Sequence, residues 1–356
     1  MTPFLDKNMN KKIPVGILGA TGAVGQKLIS LLANHPWFEI SEIAASENSA
    51  GKVYAEHVNS KDAAPLPPKV GVMRIKKCSA PLKARILFSG LDAAVAGEVE
   101  GHYAQDGHII VSNSKNHRMD QDVPLVIPEI NADHLRLIEN QVKKYRAGIQ
   151  QGYIVTNPNC SVIMLAVALF PIFKKFGLDK VITTTMQAIS GAGYPGVPAL
   201  DILGNVIPHI SGEEEKVQPE ILKIFGTYKN GKIIPADLKI SASCNRVPVY
   251  HGHTLSASFS TKEKATEADI INAFNNFHRL ELPSSPTKVI QYFKEKNRPQ
   301  PLLDVNCGNG MTVSVGNLRR CEVLDWKFTA LGHNTIRGAA GAAILNAEFI
   351  VANNLL

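Results

Sequence analysis

A chain of 356 residues, 45% hydrophobic and 19% charged, is long enough for two domains or one large one and apolar enough for a buried core. The formal net charge of +7, from 38 basic and 31 acidic side chains, is mild. With no arginine-rich block interleaved with aromatics, this argues against a nucleic-acid partner and suits a small anionic substrate. Five cysteines, Cys78, Cys160, Cys244, Cys307 and Cys321, contain no C-x-x-C pair. They argue against a disulfide scaffold or a metal site and for reduced thiols in a cytoplasmic protein.

The first residues carry no leader pattern. Residues 13–18 (IPVGIL) read as a buried strand, residues 19–25 (GATGAVG) as a tight turn, and Ala23 to Ala33 as a helix. Phe38 to Ala45 reads as a second strand, and Ile86–Ser89 and His108–Ser112 suit further parallel strands. Strands alternating with helices predict a doubly wound α/β dinucleotide-binding domain over residues 1–155. The apolar run 161–173 is too short to span a bilayer, so no membrane partner is expected. Strand material at 181–190, 240–260 and 311–317, with a helix near 266–280, predicts an α+β substrate and dimerisation domain over residues 156–332, built on an antiparallel or mixed sheet. Gly191 to Pro198 is a Gly/Pro-dense loop and a candidate for mobility. Residues 333–352 read as a long helix, and the segment 333–356 is expected to pack back on the first domain. No internal repeat or low-complexity segment is present.

Gly19, Gly22 and Gly25 are spaced G-x-x-G-x-x-G between a strand and a helix. The spacing departs from G-x-G-x-x-G, so its place after the first strand carries the argument. A dinucleotide site needs a tight turn, close backbone approach to the pyrophosphate and a helix N-terminus aimed at it. Gly19, Thr21, Gly22, Ala23, Val24 and Gly25 are therefore candidate cofactor residues. At the end of the second strand, Ser46, Ser49 and Lys52 could hold a 2′-phosphate, whereas Glu47 could face the ribose of NAD. NADP is favoured, with NAD open.

Residues 157–161 read NPNCS ahead of an apolar helix. Asn159 or Cys160 falls at the cap, where orphan N–H groups and the helix dipole favour an anion. A cysteine there is expected to have a lowered pKa and to react as thiolate, with the same N–H groups stabilising an oxyanion on an attacked carbonyl. The other four cysteines lack this context.

NPNCS, with QAISGAG (187–193), SGEEEK (211–216), RVPVYHGH (246–253) and HNTIRGAAG (333–341), resembles aspartate-semialdehyde dehydrogenase of the archaeal and fungal branch. The resemblance runs from the glycine loop to the C-terminal helix. It implies a homodimer or homotetramer in the biosynthesis of lysine, threonine and methionine. Aspartyl phosphate would acylate Cys160 with loss of phosphate, and hydride from NADPH would release aspartate semialdehyde. The resemblance makes His253 the acid–base partner of Cys160, although His251 and His253 share one face of a regular strand and spacing alone does not choose between them. It assigns Arg246 to the substrate carboxylate, Glu213 to its ammonium, and Arg118 and Lys216 to phosphate. Gln187 and Asn159 go with the substrate, and Ser190, Gly191 and Asn334 with the cofactor. The pattern resembled has arginine where Asn48 stands, which keeps NAD open.

Two geometric expectations accompany this. Arg246 and His253, seven apart, lie on opposite faces of an unbroken strand, so a shared site needs a bulge, which Pro248 and Gly252 would allow. Ser211 and Glu214 have capping-box spacing, which leaves Glu213 and Lys216 on one helical face before Pro219 interrupts it. Other readings use parts of the same constellation. Reduction of an acyl-CoA thioester such as malonyl-CoA would use the same cysteine. N-acetylglutamyl phosphate reduction is disfavoured by Arg246 with Glu213. A cofactor-sensing protein without turnover is disfavoured by the presence of Cys160, His253 and Arg246 together.

Overall fold

The computed structural model describes residues 11–59, 65–144 and 151–356. The extreme N-terminus, read above as free of a leader, lies outside the described residues. Six strands form the first sheet: β1 (Ile13–Leu18), β2 (Phe38–Ala45), β3 (Lys76–Lys77), β4 (Ile86–Ser89), β5 (Ile109–Ser112) and β6 (Tyr153–Thr156). Their order is β3-β2-β1-β4-β5-β6 and every pair is parallel. β4, β5 and β6 are buried at every position, the continuous apolar pattern of a sheet covered on both faces. Helices α1 (Ala23–Leu32) and α2 (Ala93–Gln105) connect the strands. The strand order reverses at β1, so the crevice beyond the carboxyl ends of β1 and β4 is where such a sheet takes a ligand.

The second sheet holds β7 (Leu178–Gln187), β10 (Lys239–Arg246), β11 (His253–Thr261), β12 (Ile290–Phe293), β13 (Val313–Arg320) and β14 (Trp326–Gly332). A hairpin of β8 (Thr227–Lys229) and β9 (Lys232–Ile234) stands apart. The order is β10-β7-β11-β14-β13-β12. β7 pairs parallel with β10 and antiparallel with β11, so the sheet is mixed as expected. Burial alternates along β7 because only one face is covered. Helices α3 (Cys160–Phe176), α4 (Glu214–Ile224) and α5 (Glu267–Asn275) cover it, packing Val162, Ile221 and Phe274 with Val181, Leu255 and Phe328. Ile182, on the other face, stays half exposed. Finally α6 (Gly341–Ala352), apolar on nearly every side, packs Ala343, Ile344 and Ile350 against Val15, Ile17 and Val111 of the first sheet.

Two local readings are corrected. Residues 240–260 form no bulged strand; β10 and β11 are separate strands on opposite sides of β7. The helix expected from residue 333 starts later, with a π turn at Ile336–Ala340 leading into α6. This wider turn sets Gly338 so close to α3 that a Cβ on it would lie 2.7 Å from the Cβ of Cys160. Among the described residues, no helix is long and apolar enough to cross a membrane. No group of three or more His, Cys, Asp or Glu could hold a metal ion there either.

Candidate active site

Asn159 caps α3. Its Oδ1 accepts from the N–H groups of Ser161 (2.9 Å) and Val162 (3.4 Å), which makes Cys160 the first residue of a 17-residue helix. The rest of Asn159 is equally engaged. Its backbone N–H donates to Glu220 Oε2 at 2.7 Å, and its Nδ2 to Glu213 Oε2 at 2.9 Å.

His253 opens β11, with Nε2 3.2 Å from Cys160 Sγ. Its Nδ1 accepts from the N–H of Ala188 at 3.0 Å. A neutral ring whose Nδ1 is an acceptor carries its proton on Nε2, facing the sulfur. His251 lies elsewhere: its Nδ1 is 2.9 Å from Ser190 Oγ and its ring stacks near His333. Geometry thus distinguishes two histidines that spacing could not.

Arg246 closes β10, in register with Gln187 at the end of β7, and its Nη1 donates to Ala188 O at 2.8 Å. The segment 247–252 crosses over the end of β7, tied by Val247 N–H to Gln187 O and Ile189 N–H to Val249 O. This crossing, in place of a bulge, brings the two residues together. A Cβ on Gly191 would lie 3.0 Å from His253 Cε1 and 3.1 Å from Arg246 Nη1.

Glu213 gathers the next layer. Its Oε1 accepts from Lys216 Nζ at 2.6 Å, and its Oε2 from Asn159 and, at 3.3 Å, from Gln187 Nε2. Burial opposes its charge, yet Lys216, Asn159 and Gln187 together hold the carboxyl below its usual range. Arg118 donates through Nη1 to Glu220 Oε1 at 3.0 Å and through Nη2 to Asn113 O at 2.8 Å. The capping box is not formed. Gly212 turns the chain at φ +67°, Ser211 is exposed, Glu213 occupies the N-cap position, and Glu214 Oε1 accepts from Cys244 N–H at 2.9 Å. Pro219 does not interrupt the helix, which runs through it to Ile224. Sequence reasoning missed Glu220, which joins Arg118 to the helix start. Its signal was the stripe of charges at 213, 216, 220 and 223.

The expected low thiol pKa is also corrected. Cys160 keeps partial exposure, but its sulfur is packed so closely that burial dominates and, with the nearby Glu213 carboxylate, pushes the thiol up to about 12. Arg118, Arg246 and the N–H of Ser161 oppose this without winning. Burial pushes His253 down to about 3, with Arg246 and His333 adding to the fall. Both groups are neutral near neutral pH.

The start of α1, at the glycine loop, borders a cleft of about 260 Å³ lined by Ala23, Gln26, Ser190, Tyr194, His251 and Thr335. Gly19 has φ +75°, and a Cβ there would meet Gly90 O at 2.7 Å, so the turn needs glycine. Gly22 is the N-cap of α1 and makes no side-chain cap, which leaves its first N–H groups for an anion. Asn334 bridges the two sides of the cleft floor, accepting from Gly252 N–H at 2.9 Å and donating to Ser190 Oγ at 2.8 Å. Ser46 and Ser49 meet at the end of β2, with His57 Nε2 3.0 Å from Ser49 Oγ; Lys52 is exposed on the same turn.

A doubly wound sheet with a glycine loop, facing a helix-capped cysteine and its histidine, defines a dehydrogenase that works through a thiol. A family model for the semialdehyde dehydrogenase NAD-binding domain matches residues 14–138, and one for the semialdehyde dehydrogenase dimerisation domain matches residues 169–337. Aspartate-semialdehyde dehydrogenase of Archaeoglobus fulgidus is 47% identical over 345 residues, covering 96% of this chain and 99% of its own. That of Saccharomyces cerevisiae is 42% identical over 363 residues, covering 97% and 99%. The crystal structure of the Candida albicans enzyme with NADP superposes with a TM-score of 0.90 at 40% identity, covering 97% of this chain and all of that one. The chain belongs to the aspartate-semialdehyde dehydrogenase family.

Proposed function

We propose that this protein is an NADP-dependent aspartate-semialdehyde dehydrogenase that reduces aspartyl phosphate through a thioester on Cys160. The observation that carries this is Cys160 Sγ at the start of α3, 3.2 Å from His253 Nε2. Gly19, Thr21, Gly22, Ala23, Val24 and Gly25 would hold the cofactor pyrophosphate, and Ser190, Gly191 and Asn334 its nicotinamide end. Ser46, Ser49 and Lys52 would hold its 2′-phosphate. When bound in its reduced form, the cofactor would supply the hydride in the biosynthetic direction. The relatives named above support phosphate over CoA as the partner of the acyl group.

Arg246 presents a planar fork to the substrate carboxylate, and Glu213 takes its ammonium. That ammonium offsets the Glu213 carboxylate, one of the groups that disfavour the thiolate. The reactive sulfur is the thiolate accepting from His253 Nε2–H. It attacks the acyl carbon, the bond to the phosphate oxygen breaks, and the proton given up by the thiol ends on the departing phosphate, which leaves onto Arg118 and Lys216. His253 Nε2–H then lies within reach of the thioester oxygen, which would take up charge as hydride arrives and give it up again as the carbonyl re-forms and the Cys160 sulfur leaves the aldehyde. We place residues 1–155 with 333–356 as the cofactor domain and 156–332 as the catalytic and dimerisation domain. The open face of the second sheet suits a homodimer or homotetramer, in the cytoplasm.

Exposure to aspartyl phosphate without cofactor, followed by intact-mass analysis, tests the scheme. An aspartyl adduct is expected on the wild type and none on Cys160→Ser. The same adduct on the serine variant would remove Cys160 as the acyl carrier.

A further inference from the structure

Glu213, Lys216, Glu220 and Lys223 follow at intervals of three, four and three residues along α4 and its cap, a single stripe of the helix. Glu213 and Glu220 bond to Asn159, the neighbour of Cys160, and Lys216 bonds to Glu213. Lys223 points instead into the loop that carries Arg118. Its buried ammonium donates to Arg118 O at 2.7 Å, Asp120 O at 2.8 Å and Val123 O at 2.8 Å. An ammonium has three N–H donors, so all three are spent on one stretch of backbone. One turn earlier on α4, Glu220 holds the guanidinium of Arg118. The helix therefore grips the loop twice, once by its carbonyls and once by the charged end of its side chain. Burying an ammonium carries a desolvation cost that an apolar residue would avoid, so packing does not explain the choice.

We propose that Lys223 is a positioning residue for phosphate binding: by caging the carbonyls of Arg118, Asp120 and Val123 it sets where the Arg118 guanidinium stands. This rests on the phosphate role proposed for Arg118. Burial lowers the ammonium to about 8, and the nearby Asp120, Asp122 and Glu220 carboxylates oppose that fall. His134, whose Nε2 lies 3.0 Å from Gly226 O, faces it from the turn Ala132–Leu137, and His117 Nδ1 is bound to Asp120. Below about pH 8 the cage has three donors. Above it the neutral amine has two, and one carbonyl is released.

Initial rates of semialdehyde oxidation at varied phosphate test this in wild type, K223M, K223R, R118A and the K223M/R118A double variant. K223M should raise the KM for phosphate about 10- to 100-fold, as expected for a misplaced binding group, while kcat and the semialdehyde KM change far less. R118A should raise it too, and K223M should add nothing on that background. K223R should recover part of the loss. In the wild type the phosphate KM should climb above about pH 8, and R118A should lack this limb. Equal loss in every parameter, additive effects in the double variant, or an unmoved phosphate KM in K223M would overturn the proposal. Should K223M not fold, K223R and the wild-type pH limb decide it. A phosphate KM unmoved in R118A would instead overturn the phosphate role of Arg118. That result is distinct from one in which R118A raises the KM and K223M does not.

Discussion

Cys160 and His253 sit side by side as two neutral groups, because burial acts on both in the direction that removes charge. The sign of the pH dependence follows. The thiolate is the nucleophile, and a thiol raised to about 12 gains thiolate as pH rises, with no plateau near neutrality. Alkylation of Cys160 by iodoacetamide in the free enzyme should therefore accelerate steadily from pH 6 to 10. A rate that levels off above pH 7 would mean that a thiolate–imidazolium pair forms in the free enzyme.

Helix α3 shows how an element and a site depend on each other. Asn159 satisfies two orphan N–H groups of the helix, anchors Glu213 through Nδ2, and donates its own N–H to Glu220. Asn159→Ala should lower stability by about 1 kcal/mol, the usual cost of a lost cap. It should also raise the semialdehyde KM, because Glu213 loses a partner. Chemical denaturation with steady-state kinetics would check both, and a stability loss with unchanged KM would confine Asn159 to the cap. The cap and the glycine turn were legible as local patterns, since each is decided within a few residues of backbone. Glu220 was not, because its partners lie 61 and 102 residues away in sequence. The Ser211–Glu214 box shows the reverse error: the spacing was right, but a left-handed turn at Gly212 placed the helix start elsewhere.

Across the whole molecule the two sheets are joined by buried polar contacts. Glu348, on α6 and fully buried, lies 2.7 Å from His35 Nε2 in the turn between α1 and β2 of the first sheet. It also accepts from the backbone N–H (3.0 Å) and hydroxyl (2.7 Å) of Ser284, in the loop before β12. His35 Nδ1 accepts from the N–H groups of Trp37 and Phe38, which directs its Nε2–H at the carboxylate. Glu348→Ala strands these donors and should cost about 2–4 kcal/mol, read as a lower urea midpoint with kcat affected less than stability. A midpoint within error of the wild type would show that these contacts contribute nothing net.

The sequence by itself determined the doubly wound sheet, the glycine turn, the capped cysteine and, through its resemblance, the family. These rest on apolar periodicity and on backbone geometry within a few residues, which the chain carries locally. Tertiary structure decided what spacing left open, that His253 and not His251 meets the thiol, and it alone decided that Arg246 joins it by a crossing over β7. It also decided that the thiol starts neutral and that Lys223 cages the Arg118 loop. Each depends on which strands lie side by side and how much protein surrounds a charge, and both are set by contacts between segments far apart in the chain.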